Sequence, residues 1–295
     1  MELTTAKGLL EQAELTKKSI ADLVAEYEAF LTNTTVEHIR LKMGEILGTM
    51  RFSIEEGKKD AGKFAHLAKG YGLKTNEARL QGNLIGGPII EKIIVYSLAV
   101  AQSNASLGRI VACPTAGSCG VLPGALLPIA EELQASDEEI IDSLLVAAGI
   151  GTISASQGPI SGAEGGCQAE TGVASAMAAG AIAYLAKGSN HDIFNAASLA
   201  LQNLLGLVCD PVAGLVEIPC ITRNAGAAVN SLVAVNLTFA GVPCHIPFDE
   251  TVQAMKSIGR LMDFSLRETS QGGLATTPTG KRLYQELREK HRLED

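Results

Sequence analysis

The stretch from 170 to 188, ETGVASAMAAGAIAYLAKG, constrains the fold more than any other part of this sequence. It is alanine-rich, suited to a helix and almost free of bulky side chains, so such a helix must lie close against its neighbours to bury anything. Gly188 is the expected C-terminal cap. Period-two alternation of apolar and polar residues is nearly absent from the chain, which removes the main signal for strands. These features predict an all-α fold, a compact bundle of Ala/Gly-rich helices. Composition agrees, with 31 glycines, no Trp and 4% aromatic residues in a chain that is 46% hydrophobic, so the core is expected to consist of small aliphatic side chains.

At 295 residues the chain is read as a single catalytic domain, 1–295, with a more charged helical subregion at 1–60. Within that subregion Thr34 to Glu37 reads as a capping box opening a stripe of Val36, Ile39, Met43, Leu47, Met50 and Ile54. Ser136 to Glu139 reads as a second box, and Asp192 as the start of a helix with Phe194, Ala197 and Leu201 on one face. From Gly82 to Gly241 Gly-rich turns alternate with Ala-rich helices, and chemistry is expected there. The charged final helix reads as a solvated surface.

A formal net charge of −8 offers no basic stripe for a phosphate backbone, which argues against nucleic acid as a partner. The N-terminus has neither the basic-then-apolar order of a secretory signal nor an Arg-rich transit pattern, so the expected compartment is the cytoplasm. Two stretches, 143–163 and 224–248, run without Asp, Glu, Lys or Arg. Their Ser, Gln, Asn and Pro residues would be expensive in hydrocarbon, so both read as protein core and not as membrane spans.

In a reducing compartment the six cysteines are expected to remain thiols unless a metal or catalysis uses them. None forms a C-x-x-C pair, which removes the support for a zinc ribbon or a thioredoxin-like site. A lone cysteine is most often a small buried hydrophobe. Context singles out Cys167, where Gly165 and Gly166 remove side chains that would crowd a bulky inorganic group. It also singles out Cys209 and Cys220, each stiffened by a nearby proline.

Four motifs occur in order: CPTAGSCGVLPG from Cys113, AEGGCQAETGVASAMAAG from Ala163, CDPVAGLVEIPC from Cys209 and ETSQGGLATTPTGK from Glu268. Across nearly the whole chain the sequence resembles the α chains of bacterial iron-sulfur-dependent L-serine dehydratases. That resemblance implies that Cys167, Cys209 and Cys220 hold a [4Fe-4S] cluster with one iron open. The open iron would act as a Lewis acid on the hydroxyl of L-serine, giving pyruvate and ammonia without redox change. Single-chain members of the family end in a cysteine soon after the Gly-Gly-Leu-Ala motif. Here Gly272 to Ala275 is followed by TTPTGKRLYQELREKHRLED, so the likeness is to the two-chain form with a separate β chain.

The CPTAGSCG segment is the candidate for the substrate carboxylate, because successive N–H groups in a Gly-containing turn form an anion-binding concavity; Thr115, Gly117 and Ser118 are the residues named. The catalytic base is left open, and contacts from the β chain are an implied source. Of the histidines only His245 lies near a motif, and it reads as a loop residue. Two alternatives stand: a related cluster-dependent lyase on another β-substituted amino acid such as cysteine, and a non-catalytic cluster-binding helical protein. No roles are assigned to Cys113, Cys119 and Cys244.

Overall fold

The computed structural model describes residues 3–294. In chain order the helices are α1 (Ala6–Thr16), α2 (Ile20–Leu31), α3 (Val36–Gly57), α4 (Tyr71–Leu80), α5 (Gly87–Ala105), α6 (Val121–Glu132), α7 (Asp137–Gln157), α8 (Gly162–Gly165), α9 (Val173–Leu185), α10 (Asn190–Gln202), α11 (Cys220–Phe239), α12 (Phe248–Leu261) and α13 (Pro278–Glu294). Among the described residues there is no strand, only an isolated parallel bridge between Cys209 and Arg267. The all-α expectation holds.

The Ala-rich helix is the centre of the molecule. In α9 every side chain except Tyr184 is buried, and it packs against α6, α7, α10 and α11. Close approach is built in by glycine: a Cβ at Gly180 would collide with the Ile150 side chain on α7. The core continues from Leu3 to Met255, dominated by Ala, Val, Ile and Leu as the composition implies.

Helix ends follow capping chemistry with small shifts from the sequence reading. Ser136 and Glu139 form the expected box at α7. At α3 the cap is Thr35, one residue later than expected, accepting from His38 N at 3.2 Å. At α10 it is Ser189, with Asp192 as the reciprocal partner inside the first turn. The left-handed residue after α9 is Lys187 (φ 64°), while Gly188 donates its N–H to Ala183 O at 2.8 Å. Gly188 is still required there, because a Cβ would stand 2.9 Å from that carbonyl and from Phe239.

The two uncharged stretches differ in fate. The first supplies most of α7, which has the length and apolar character to cross a membrane but is largely buried against α9, α2 and other helices. The second, read as core, is core on one face only. It forms most of α11, which leaves Val233, Leu237 and Phe239 exposed, and runs into an exposed loop carrying Val242 and Ile246.

Candidate active site

Cys167 lies between α8 and a π-helical turn, Gln168–Gly172, that leads into α9. Such turns interrupt the regular ladder and re-aim side chains, and they recur at functional sites. Gln168 fixes this one: its Nε2 donates to Gly165 O at 2.9 Å and Met255 O at 3.1 Å, and its Oε1 accepts Gly206 N at 2.9 Å. The preceding glycines have a different purpose from the one expected. A Cβ at Gly165 would press on Ala169 and Pro159, and one at Gly166 (φ +75°) on Met262 and Leu207 O. Both therefore make room for protein packing. Their N–H groups are also spent, on Ser161 O and Gly162 O. The glycine that clears a thiol is Gly162, whose Cβ would stand 2.8 Å from Cys209 Sγ.

Cys209 is held by the segment 263–277, which straps across it. Cys209 N donates to Leu266 O and Glu268 N donates to Cys209 O, each at 2.8 Å. Ser270 Oγ donates to Pro211 O at 2.7 Å, and Leu274 N donates to Asp210 Oδ2 at 2.8 Å. Gly273 is left-handed (φ +57°), and its missing Cβ would lie 2.6 Å from Asp210 Cβ, so only glycine lets the strap close on Asp210. Asp210 Oδ1 faces Arg223 Nη2 at 2.9 Å as a buried ion pair, and Arg223 Nη1 donates to Val208 O at 2.7 Å.

Cys220 is the first residue of α11, where the helix dipole favours a thiolate. Arg223 follows one turn later and lowers both Cys220 and Cys167. Burial nevertheless dominates. It raises the Cys167 thiol, and it pushes Cys220 up to about 12, with Cys167 and Glu170 adding to the effect. Burial, then Cys167 and Cys220, hold Cys209 far above the ordinary thiol range. Cys167 thus acts on both other thiols and Cys220 on Cys209, and three thiolates cannot persist together here without added positive charge.

That chemistry bears on an iron-sulfur group. Among the described residues no three His, Cys, Asp or Glu side chains close on a point that could hold a single metal ion. A multi-atom cluster makes a different demand: separate thiolates around a larger body, with cationic iron replacing the thiol protons. Three desolvated thiols on three separate elements, free of disulfides and partly neutralised by Arg223, fit that donor set.

The loop from Cys113 to Gly120 is brought to these cysteines by two side chains. Asn224, one turn into α11, accepts from Gly120 N at 2.9 Å and donates to Gly117 O at 2.7 Å and Cys220 O at 2.9 Å. Glu170, in the π-helical turn, accepts a short hydrogen bond from Thr115 Oγ1. A Cβ at Gly117 would lie 2.6 Å from Glu170 Oε1. Burial raises the Glu170 carboxyl and Glu268 adds to this, while Thr115 opposes it.

Ser118 is fully buried, and its Oγ is bonded within the loop to Cys113 O, Thr115 O, Thr115 N and Thr115 Oγ1. The hydroxyls of Thr115 and Ser118 are therefore occupied. The N–H groups of Ala116, Gly117 and Ser118 donate to no acceptor among the described residues, which leaves three consecutive backbone donors open. Cys113 and Cys119 form the core side of the loop; burial pushes Cys113 up to about 12. Cys244 and His245 lie in the loop before α12, with Cys244 Sγ 3.2 Å from Ile246 O.

Glu170, Asp210, Arg223, Asn224 and Glu268 were not singled out from sequence. Two signals were present: Arg223 stands three residues after the cysteine that opens α11, and so on the same helical face, and Asp210 adjoins Cys209.

The family described as "Serine dehydratase alpha chain" matches residues 15–275. A probable L-serine dehydratase alpha chain of Bacillus subtilis (strain 168) is 40% identical over 284 residues, covering 95% of each chain. The L-serine dehydratase alpha chain of Peptoniphilus asaccharolyticus is 38% identical over 283 residues, 95% of this chain and 97% of that one. An L-serine dehydratase of Helicobacter pylori (strain ATCC 700392 / 26695) is 37% identical over 286 residues, which is 94% of this chain but 62% of that longer protein. The chain belongs to the serine dehydratase alpha chain family.

Proposed function

We propose that this chain is the α chain of an L-serine dehydratase that holds a [4Fe-4S] cluster on Cys167, Cys209 and Cys220 and converts L-serine to pyruvate and ammonia. The observation that carries this reading is the meeting of three desolvated thiols with a loop whose N–H groups at 116–118 remain unpaired. The open loop also favours catalysis over a purely structural cluster, which would need no small-molecule site beside it.

When bound, a cluster with one iron lacking a thiolate supplies a Lewis acid for the substrate hydroxyl. The chain's own residues do the rest. The N–H groups of Ala116, Gly117 and Ser118 receive the α-carboxylate. Asn224 keeps that loop in register with Cys220, so the carboxylate subsite and the Cys220 thiol are fixed to the same helix. The strap over Cys209 and Asp210 keeps water from the Cys209 thiol. Loss of the α-proton and the β-hydroxyl gives aminoacrylate and water; tautomerisation to the imine and hydrolysis then return pyruvate and ammonia. The overall change is redox-neutral.

A separate β chain is the proposed partner. Two relatives matched over 95% of this chain are named as alpha chains, a name that implies a second chain. Six thiols and no disulfide suit a reducing cytoplasm. The test is anaerobic reconstitution of the chain with its β chain and a serine-to-pyruvate assay. Activity that falls to background in Cys167→Ser, Cys209→Ser and Cys220→Ser, but persists in Cys244→Ser, is expected. Full activity in any of the first three variants contradicts the ligand set, and a preference for cysteine over serine contradicts the substrate.

A further inference from the structure

We infer that Glu170 receives the α-ammonium of the substrate, and that this carboxylate makes the site select an amino acid over the corresponding hydroxy acid. The inference rests on the serine dehydratase reading above and adds a residue that determines specificity.

The first ground is where Glu170 stands. Its charge acts on Cys167, Cys209, Cys220 and Cys119, so it faces both the thiols and the loop. Its Oε1 is held by Thr115 and packed on Gly117. Its Oε2 lies on the Cys209 side, where a Cβ on Gly162 would be 3.4 Å from Oε2 and 2.8 Å from Cys209 Sγ. Oε2 accepts no hydrogen bond among the described residues.

The second ground is charge. Glu170 forms no ion pair among the described residues, although it is half-buried. The nearby guanidinium, Arg223, is already committed to Asp210 and Val208 O. Glu268, the other carboxylate acting on Glu170, adds negative charge. A half-buried carboxylate with a free oxygen, a second carboxylate near it and no cation of its own is set up for a cation that arrives with the substrate.

The third ground is adjacency. The carboxylate and ammonium of an α-amino acid sit on one carbon, so the groups that bind them must be neighbours. Gly117 supplies this: its N–H is one of the three open donors, and a Cβ on it would stand 2.6 Å from Glu170 Oε1. Donors for an anion and an acceptor for a cation therefore meet at one residue, and a side chain at 117 would push them apart.

The test uses the anaerobic holoenzyme with its β chain, Glu170→Gln, L-serine as substrate and glycerate as inhibitor, since glycerate has a hydroxyl in place of the ammonium. Loss of one charge-assisted hydrogen bond predicts a KM for L-serine raised about tenfold to a hundredfold, with kcat changed far less. The glycerate inhibition constant stays level or falls, so discrimination between the two collapses. Thr115→Val, which unties Glu170 without removing its charge, gives a smaller rise in KM with the same sparing of glycerate. A fall in kcat at unchanged KM makes Glu170 the proton-removing base and overturns the inference. Weakening of glycerate in step with serine overturns it too, as does loss of iron and sulfide from Glu170→Gln. A wild-type enzyme that does not turn over L-serine removes the functional reading itself; a working wild type with an unchanged KM in Glu170→Gln removes only the role of Glu170.

Discussion

Replacing Arg223 by Met in the cluster-free chain isolates the energetics that hold the cysteine segments together. Asp210 and Arg223 have side chains 4% and 18% exposed, so removing the guanidinium leaves a desolvated carboxylate facing apolar atoms. Breaking a buried pair from one side costs about 3–5 kcal/mol. The lower end applies here, because Asp210 keeps its hydrogen bond from Leu274 N, while Oδ1 has an ion pair with Arg223 but no aligned hydrogen bond. The strap then loses the charge that anchors its partner. Urea unfolding of the apo chain measures the effect, with Arg51→Met as the control, since the Arg51–Asp137 pair is 47% and 59% exposed and such pairs contribute about 0–1 kcal/mol. The double variant Asp210→Asn/Arg223→Met is expected to recover much of the loss, because no unpaired charge remains. A cost below about 1 kcal/mol for Arg223→Met, equal to the control, would refute the argument that this pair is a buried clamp.

Other consequences are open to simple measurement. Gly273→Ala places a Cβ against Asp210 in a left-handed backbone, so limited proteolysis of the apo chain should cleave the 263–277 strap faster than in wild type; equal rates would count against the close fit. The Cys113 thiol, pushed up to about 12 by burial, should resist alkylation of the native protein at mildly alkaline pH, while Cys244 is labelled first, as read by mass spectrometry. The hydrogen bond from Arg51 lowers the Asp137 carboxyl, so its contribution is present above the ordinary aspartate range and disappears as pH falls through the lowered value; the melting-temperature gap between wild type and Asp137→Asn should close in acid. Glu170 has the opposite sign. Burial raises its folded-state pKa, so the folded state loses stability as pH rises from the unfolded value towards the raised one, and Glu170→Gln should stabilise the apo chain at neutral pH but not in acid. No gain at neutral pH would contradict the buried, unpaired state of this carboxylate.

The helical architecture was legible because it depends on local patterns. An alanine-rich run with no strand alternation can be buried only by close helix packing, and α9 sits where that argument puts it. Cap residues were displaced by one to three positions, since Thr34 and Thr35, or Ser189 and Asp192, offer competing hydroxyl and carboxylate acceptors that only the backbone conformation resolves. The exposed face of α11 was missed because an uncharged run does not say which of its faces is covered. The site was legible as motifs but not as an assembly. Thr115 and Glu170 are 55 residues apart, and Asn224 and Gly117 are 107 apart, so nothing local announces their contacts. Gly165 and Gly166 show the same limit from the other side: the need for space was readable, but Pro159, Ala169, Met262 and Leu207 are what occupy it.

The most direct test of the account is the Mössbauer spectrum of isotopically enriched holoenzyme, prepared anaerobically with its β chain, before and after addition of L-serine. Ligation by Cys167, Cys209 and Cys220 alone predicts one iron distinct from the other three, and a change at that iron when serine binds. Four equivalent thiolate-bound irons, indifferent to serine, would contradict it.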